Sequence, residues 1–423
     1  MNSRKDYLSC LLLLALFALL VGLAGCGGVS ANGAISPTPT PTPSPSPSPT
    51  PGEPEPEPGP SPSPSPSPTG SPSPTPTPGG HNSASRFVFG VIDFEAEGFF
   101  GGKIDSATGQ ITPVAGQPAN NPLGQNVVGQ LLADPKGRFL YALDLGASSF
   151  GIQFGQLGIS AFQINQNSGS LTPSPKQIVF PVQRFDRMVI DGTGKFLYQP
   201  DGSGIDLYSI NQATGQLTQV AASVPAPPVG AFSAASSDGK FLFNEGNGLV
   251  EVYGINSANG QLINATTPIS TGGSGGPILV SADSHLLFVA NSSQGTVAAF
   301  SVASNGTLTA LPGSPFSAGA QPQGMSLSPD GRFLYIAFQD NAGSSQVKGF
   351  LINPAAGTFT PIAGATVANA TSINVDGTGK LAFISQGQQL VTFRIDPTTG
   401  ALTAASQAPQ PWSDIPDDVA LTP

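Results

Sequence analysis

From Arg86 to Pro423 the apolar and polar positions follow one recurring scheme. Small polar residues lead into a tight turn, one basic residue and an apolar run rich in aromatics: DPKGRFLYALD (134–144), DGTGKFLYQPD (191–201), SDGKFLFNEG (237–246), SADSHLLFVAN (281–291), SPDGRFLYIAF (328–338) and DGTGKLAFISQ (376–386). A second signature accompanies it, as in IDLYSINQATGQLTQVA (205–221) and LVTFRIDPTTGALTAAS (390–406): an alternating aromatic and aliphatic run, an Asn, Asp or Ser turn closed by Gly, and a short second run. That order predicts a β-hairpin whose turn needs a residue tolerant of positive φ. The turn glycines fall at Gly109, Gly169, Gly215, Gly260, Gly306, Gly357 and Gly400, about 48 residues apart.

All-strand repeats of that period predict propeller blades, each a four-stranded sheet with both faces buried against its neighbours. Within a blade the chain runs from an innermost strand A outward to strand D, so Asp-Gly makes the A to B turn and FLY opens strand B. The basic residues Arg138, Lys195, Lys240, Arg332 and Lys380 are expected to project from that turn into solvent, as structural rather than catalytic positions. The two ends complement each other. PDDVALTP (416–423) matches PQGMSLSP (322–329), a strand A with no strand B behind it, while SRFVFGVID (85–93) is a strand B lacking its strand A. Pairing them closes the ring and removes two free sheet edges.

The first residues change the picture from a domain to a delivered domain. MNSRKDYLSCLLLLALFALLVGLAGCGG begins basic, continues apolar from Leu8 to Ala24 and ends in small residues, the order of a secretory signal. Leu23-Ala24-Gly25-Cys26 resembles the lipobox of bacterial lipoproteins, in which the cysteine is acylated and becomes the first mature residue. The expected organisation is a signal peptide (1–25), an anchor-proximal segment (26–36), a disordered Pro/Ser/Thr-rich stalk (37–84) and the propeller (85–423). Proline at nearly every second position fixes φ and removes amide donors, so the stalk samples polyproline II. Extended at about 3.1 Å per residue it spans on the order of 130 Å. The expected address is the bacterial cell envelope, an outer membrane or cell surface, reached by export and held by the lipid on Cys26.

Processing also limits the chemistry. Cys10 leaves with the signal and Cys26 carries lipid, so disulfides, thiolate metal sites and a cysteine nucleophile are excluded. The mature chain keeps 13 basic against 24 acidic side chains, a net charge of −11, which argues against nucleic acid as a partner. A monomer is expected.

The pattern (S/D)-x-DG-(K/R)-FLY, followed by a strand ending I-(D/N)-x-x-TG-x-L-T, resembles the seven-bladed β-propeller lactonase family, which includes bacterial 6-phosphogluconolactonase and fungal carboxy-muconate lactonising enzymes. The resemblance covers about residues 86–423. It implies an all-β ring of seven four-stranded antiparallel blades, with lactone hydrolysis as one activity and histidine, arginine and carboxylate side chains around a central cleft. Propellers host many activities, so the fold alone does not assign one. This chain has only His81, in the stalk, and His285, which replaces the turn Lys or Arg and reads as a solvated surface residue. A serine-histidine-acid mechanism would therefore lack its base. Gly272-Gly273-Ser274-Gly275-Gly276 matches a nucleophile elbow only as a string, because it falls in a D to A connection rather than a strand-to-helix corner. The Asn-x-Ser/Thr strings at Asn264, Asn291, Asn305 and Asn369 read as chance.

Blade topology sends the B to C and D to A connections to one rim, and there the sequence is acidic. Asp93, Glu95, Glu97, Asp144, Asp201, Glu245 and Asp340 stand at or after strand B ends; Arg184, Asp186 and Arg187 enter from the connection into the third blade, and Asp417, Asp418 and the single tryptophan, Trp412, from the closing one. Three readings stand side by side. Carboxylates such as Asp144, Asp201 and Glu245, with the amides of Asn291 and Gln339, hold a calcium ion. Alternatively Arg184 and Arg187 bind an anionic lactone or sugar acid, a carboxylate such as Asp144 activates water, and Trp412 stacks on the ring. In the third, these are ordinary polar loop residues. The candidate ligand-binding set is Asp93, Glu95, Asp201, Glu245, Asn291, Gln339, Asp418 and Trp412. The leading functional expectation is a binding module for an unknown small molecule or protein; the runner-up is a lactone hydrolase. The long B to C connection from Leu145 to Gly158 reads as a decorated loop.

Overall fold

The computed structural model describes residues 87–91, 99–115, 128–144, 147–149, 152–154, 157–180, 187–200, 204–225, 232–264, 266–273, 275–340, 344–386, 389–405, 410–411 and 419–422, all within the compact unit Pro72–Pro423. The signal, Cys26 and the stalk lie outside the described residues, as do Arg184, Asp93, Glu95, Asp201, Trp412 and Asp418. The fold is an all-β propeller of seven antiparallel blades, and among the described residues there is no helix. In the third blade the order from inside to outside is Val189–Ile190, Phe196–Pro200, Gly204–Ile210 and Leu217–Pro225. Four blades carry a second short outer strand on strand C, as Ile178–Val179 does in the second blade. The connection after Asp144 carries its own two-stranded ribbon, Ala147–Ser149 with Ile152–Phe154.

Two side-chain solutions build the A to B turn. In the second, third and seventh blades an aspartate does it directly: Asp191 Oδ1 accepts the amides of Lys195 at 2.8 Å and Phe196 at 2.7 Å, and Asp134 and Asp376 do the same for their blades. In the fourth, fifth and sixth blades a serine replaces it. Ser328 Oγ accepts the amide of Phe333 at 2.9 Å and donates to Asp330 at 2.5 Å, with Ser236 and Ser281 arranged alike. Both satisfy amides that the turn would otherwise leave unpaired at a buried corner. The C to D turns also match their expected chemistry. The seven glycines named above have φ between +63° and +84°, and Asn211 or Asp396, four residues earlier, accepts the following amides. The amides of Thr108 and then Ala107 hold the Asp105 carboxyl below its usual pKa in the same role.

The apolar core is divided among the interfaces: seven buried clusters, one at each contact between consecutive blades. Strand B supplies both sides. In FLYALD, Phe139, Tyr141 and Leu143 face the third blade while Leu140 and Ala142 face the first, as two-residue alternation requires. The aromatic positions do more than fill space. A Cβ on Gly215 would lie 2.5 Å from the Phe139 ring, and Tyr141 Oη donates to the Gly215 carbonyl at 2.9 Å. The third and sixth blades repeat this latch on the following blade, Phe196 and Tyr198 on Gly260, Phe333 and Tyr335 on Gly400. Burial pushes all three phenol pKa values up, so each stays a donor.

The arginines project from their turns, Arg332 about half exposed and Arg138 less so, and also bond the neighbouring blade. Arg138 pairs with Asp134 at 2.8 Å, lies 4.7 Å from the Phe139 ring centre and reaches across to the Gln212 carbonyl at 3.1 Å on the next blade. Arg332 reaches the Pro397 carbonyl at 2.6 Å in the same way. A guanidinium has donors enough to serve its own turn and its neighbour's together. Lys240, a point charge, pairs only within its turn, with Asp238 at 2.9 Å, as far as the described contacts go.

Closure follows the expected pairing. Val419–Leu421 is the innermost strand of the first blade, with Val88 opposite Leu421, Phe89 opposite Ala420 and Gly90 opposite Val419. Thr422 adds two bonds to Phe87, its amide to the carbonyl at 3.0 Å and its Oγ1 from the amide at 3.1 Å. Across the seventh interface Thr392 Oγ1 donates to the Gly109 carbonyl at 3.0 Å, replacing the tyrosine of the other latches. Replacing Tyr335 by Phe keeps the ring and deletes one such bond to a buried turn. The expected outcome is a loss of about 1–2 kcal/mol in urea unfolding of the full chain, and Tyr335→Phe with Tyr198→Phe should add, since the two latches share no partner.

Candidate functional site

A cleft of about 730 Å3 opens on the rim of B to C turns and D to A connections, where the innermost strands of the fourth, fifth and sixth blades begin. Phe232 opens strand A of the fourth blade; Gly275, Gly276 and Pro277 lead into the fifth; Ser292 to Gly295 form the fifth blade's B to C turn; Ala320 to Gln323 lead into the sixth. Contacts between neighbouring blades hold these pieces together. Ser292 Oγ donates to the Pro322 carbonyl at 2.5 Å, and the Ala318 amide to the Gly295 carbonyl at 3.1 Å. A Cβ on Gly295 would come within 2.8 Å of the Gly319 carbonyl oxygen, so the approach needs glycine. Gln321 takes φ +48°, a region where few non-glycine residues sit, and its carbonyl accepts the Gln339 amide at 3.3 Å.

One wall is the glycine-rich stretch that resembles a nucleophile elbow. It joins Ile269–Ser270 to Ile278–Val280, a D to A connection as expected, and packing accounts for Gly273 and Gly276. A Cβ on Gly276 would lie 2.4 Å from the Ala290 carbonyl oxygen and one on Gly273 2.7 Å from Asn291 Cβ. Gly275, at φ +81°, has no heavy atom within 4 Å of that position and faces open space. Asn291 and Glu245 hold this wall from the two blades beside it. Asn291 Nδ2 donates to the Thr271 carbonyl at 2.8 Å, and its Oδ1 is buried without a hydrogen-bond partner. Glu245, 2% exposed, accepts the amides of Gly248, at 3.2 Å, and of Gly275. Its pKa is raised, burial outweighing the two amides that favour the charged form.

Of the residues selected from sequence, the structure brings Glu245 and Asn291 onto one connection and sets Gln339 beside Gln321. Asp144, 1% exposed, is in the second blade, where it accepts from Ser160 Oγ at 2.7 Å. Arg187 is exposed, just ahead of Val189–Ile190. Asp340 caps its own loop, accepting the Ser344 amide at 2.8 Å. His285 stands on the turn-rich rim, 3.5 Å from Asp283 and largely exposed. Among the described residues no three His, Cys, Asp or Glu side chains gather as a metal centre. Sequence reasoning missed Phe232, Ser292, Ser293, Gln294, Gln321 and Gln323. The available signal is NSSQG and AQPQG, two amide-rich connections in consecutive blades.

The raised pKa of Glu245 has a sign. The folded state binds the proton more tightly than the unfolded chain, so this group's contribution is most favourable below the unfolded value and is lost as pH rises through the folded one. Glu245→Gln is therefore expected to flatten that part of the stability profile. The check is urea midpoints from pH 4 to 8, where the variant should gain on the wild type as pH rises.

Residues 230–375 match the model of the lactonase family described as a seven-bladed β-propeller. A search of the curated proteins finds no match. Among solved structures the chain is similar to a candidate 6-phosphogluconolactonase from Bacteroides uniformis, with 16% identity, a TM-score of 0.62 and coverage of 80% of this chain and 100% of that one. A second, from Bacteroides fragilis, shares 19% identity at TM-score 0.62 over 80% and 98%. The periplasmic gluconolactonase of Pseudomonas aeruginosa shares 19% at TM-score 0.62 over 81% and 99%. At these identities the likeness to solved structures is one of fold. The chain is thus a seven-bladed β-propeller, and residues 230–375 of it match the lactonase family model.

Proposed function

We propose that the propeller binds and hydrolyses a lactone, the cyclic ester of a sugar acid, in the cleft between its fourth and sixth blades. The observation that carries this reading is a coincidence of position: all twelve lining residues, from Phe232 to Gln323, fall inside the stretch that matches the lactonase model. The lining suits such a ligand. Serine hydroxyls and glutamine amides both donate and accept, as sugar hydroxyls require, and Phe232 with Pro277 and Pro322 offers apolar surface to ring carbons. Glu245 stands behind the wall, where its bonds to the Gly248 and Gly275 amides position the connection that the ligand meets. Water attacks the ester carbonyl, the ring C–O bond breaks, and the proton that the water gives up ends on the departing alkoxide, giving the open hydroxy acid.

The test is titration at constant pH of aldono-1,4- and 1,5-lactones with the full chain, spontaneous opening subtracted. Opening above the spontaneous rate is expected. No excess rate on any lactone would overturn the proposal. A second reading has its own support: none of the twelve lining residues carries an ionisable side chain, which suits a module that binds without turnover. Saturable lactone binding with no excess rate would select it.

We also propose that the chain works at the cell envelope, anchored by lipid on Cys26 and set off from the bilayer by the proline-rich stalk. The support is the order of the first 26 residues and the composition of the next fifty. Cys26→Ser is expected to move the protein from the membrane to the soluble fraction; a variant that still sediments with membranes would overturn the anchor.

A further inference from the structure

We infer that the cleft selects an uncharged, hydroxyl-rich ring and discriminates against its phosphorylated or carboxylated counterpart. The inference deepens the proposed function and rests on the same cleft. Its first support is the lining, which offers Ser292, Ser293, Gln294, Gln321 and Gln323 and no cation. Anion sites in proteins rely on Arg or Lys, whose charge-assisted bonds are about twice as strong as neutral ones. Neutral amides and hydroxyls instead match neutral hydroxyls.

The second support is where the charges of these blades fall. Between residues 226 and 348 the basic side chains are Lys240, His285, Arg332 and Lys348. Lys240, His285 and Arg332 belong to A to B turns on the opposite rim, facing Asp238, Asp283 and Asp330. Lys348 lies on strand C of the sixth blade, one strand further from the axis than strand B, with its ammonium 4.8 Å from the centre of the Phe338 ring. That ring lies against Gly319, just before the cleft residue Ala320. On the cleft's own rim the same stretch supplies only Glu245, bonded to the back of the wall residue Gly275, and Asp340. An anionic group entering here would meet no cation among the lining residues, in the field of an acidic chain.

The experiment uses the full chain with glucono-1,5-lactam, a neutral ring that cannot be hydrolysed as an ester, and its 6-phosphate, both by titration calorimetry. The neutral lactam is expected to bind at least tenfold more tightly, with the gap narrowing at 0.5 M salt as the repulsion is screened. Gln323 is exposed at the mouth, and Gln323→Lys is expected to recover the phosphorylated ring at least fivefold. Equal or tighter binding of the 6-phosphate by the wild type overturns the inference, as does failure of the neutral lactam to bind at millimolar concentration. The two proposals separate cleanly. Preference for the neutral lactam without lactone opening defeats hydrolysis alone, whereas lactone opening with preference for the 6-phosphate defeats the charge selection alone.

Discussion

The structure depends on the contact between an aromatic residue at the start of one blade's second strand and the turn glycine of the next blade. A ring fills the place that any side chain on that glycine would need, and where the third residue is tyrosine its hydroxyl bonds the glycine's carbonyl. Full burial of one aromatic side chain contributes about 1.5–3 kcal/mol, and five of the seven interfaces carry the ring contact; Gly357 packs on Pro312 instead. Phe87 and Phe241 keep the packing without a tyrosine two residues on, while Thr392 keeps the hydrogen bond at the seventh interface. A propeller has no central core to rescue a poor interface, so each junction must be competent by itself.

This constraint divides the molecule's two rims. The turn-rich rim holds the latch glycines, the Asp and Ser corners and the arginines that reach from one blade to the next, so its sequence is committed to holding blades in order. The opposite rim carries connections of unequal length that the latch does not dictate. There the Gly272–Gly276 stretch can be drawn close to the backbone of the neighbouring blade, and the Gln321 backbone can take a positive φ. Residues on such loops are free to serve a ligand because the scaffold beneath them is already rigid.

The relation between charge and burial on that rim runs against surface intuition. Asp144 and Glu245 lie at strand ends and act as buried hydrogen-bond acceptors, Asp144 within the second blade and Glu245 behind the cleft wall. Strand alternation decides this. Glu245 shares a strand face with Phe243, which packs against the fifth blade, whereas Asn291 looks back toward the fourth. The two meet on the connection between their blades, and the cleft is left to neutral residues.

Strand order, the turn glycines, the Asp or Ser corners and the pairing of Phe89 with the closing tail were all legible in the sequence. They rest on alternation, turn chemistry and repetition, which act between near neighbours or copy themselves along the chain. The reach of Arg138 to Gln212 was not legible, and neither was the cleft, because each depends on the angle and spacing of adjacent blades. Phe232, Ser292 and Gln323 are tens of residues apart and chemically unremarked one by one. Only the packing of three blades brings them to one opening, and that geometry is set by the long-range burial of whole sheet faces rather than by any local run of residues.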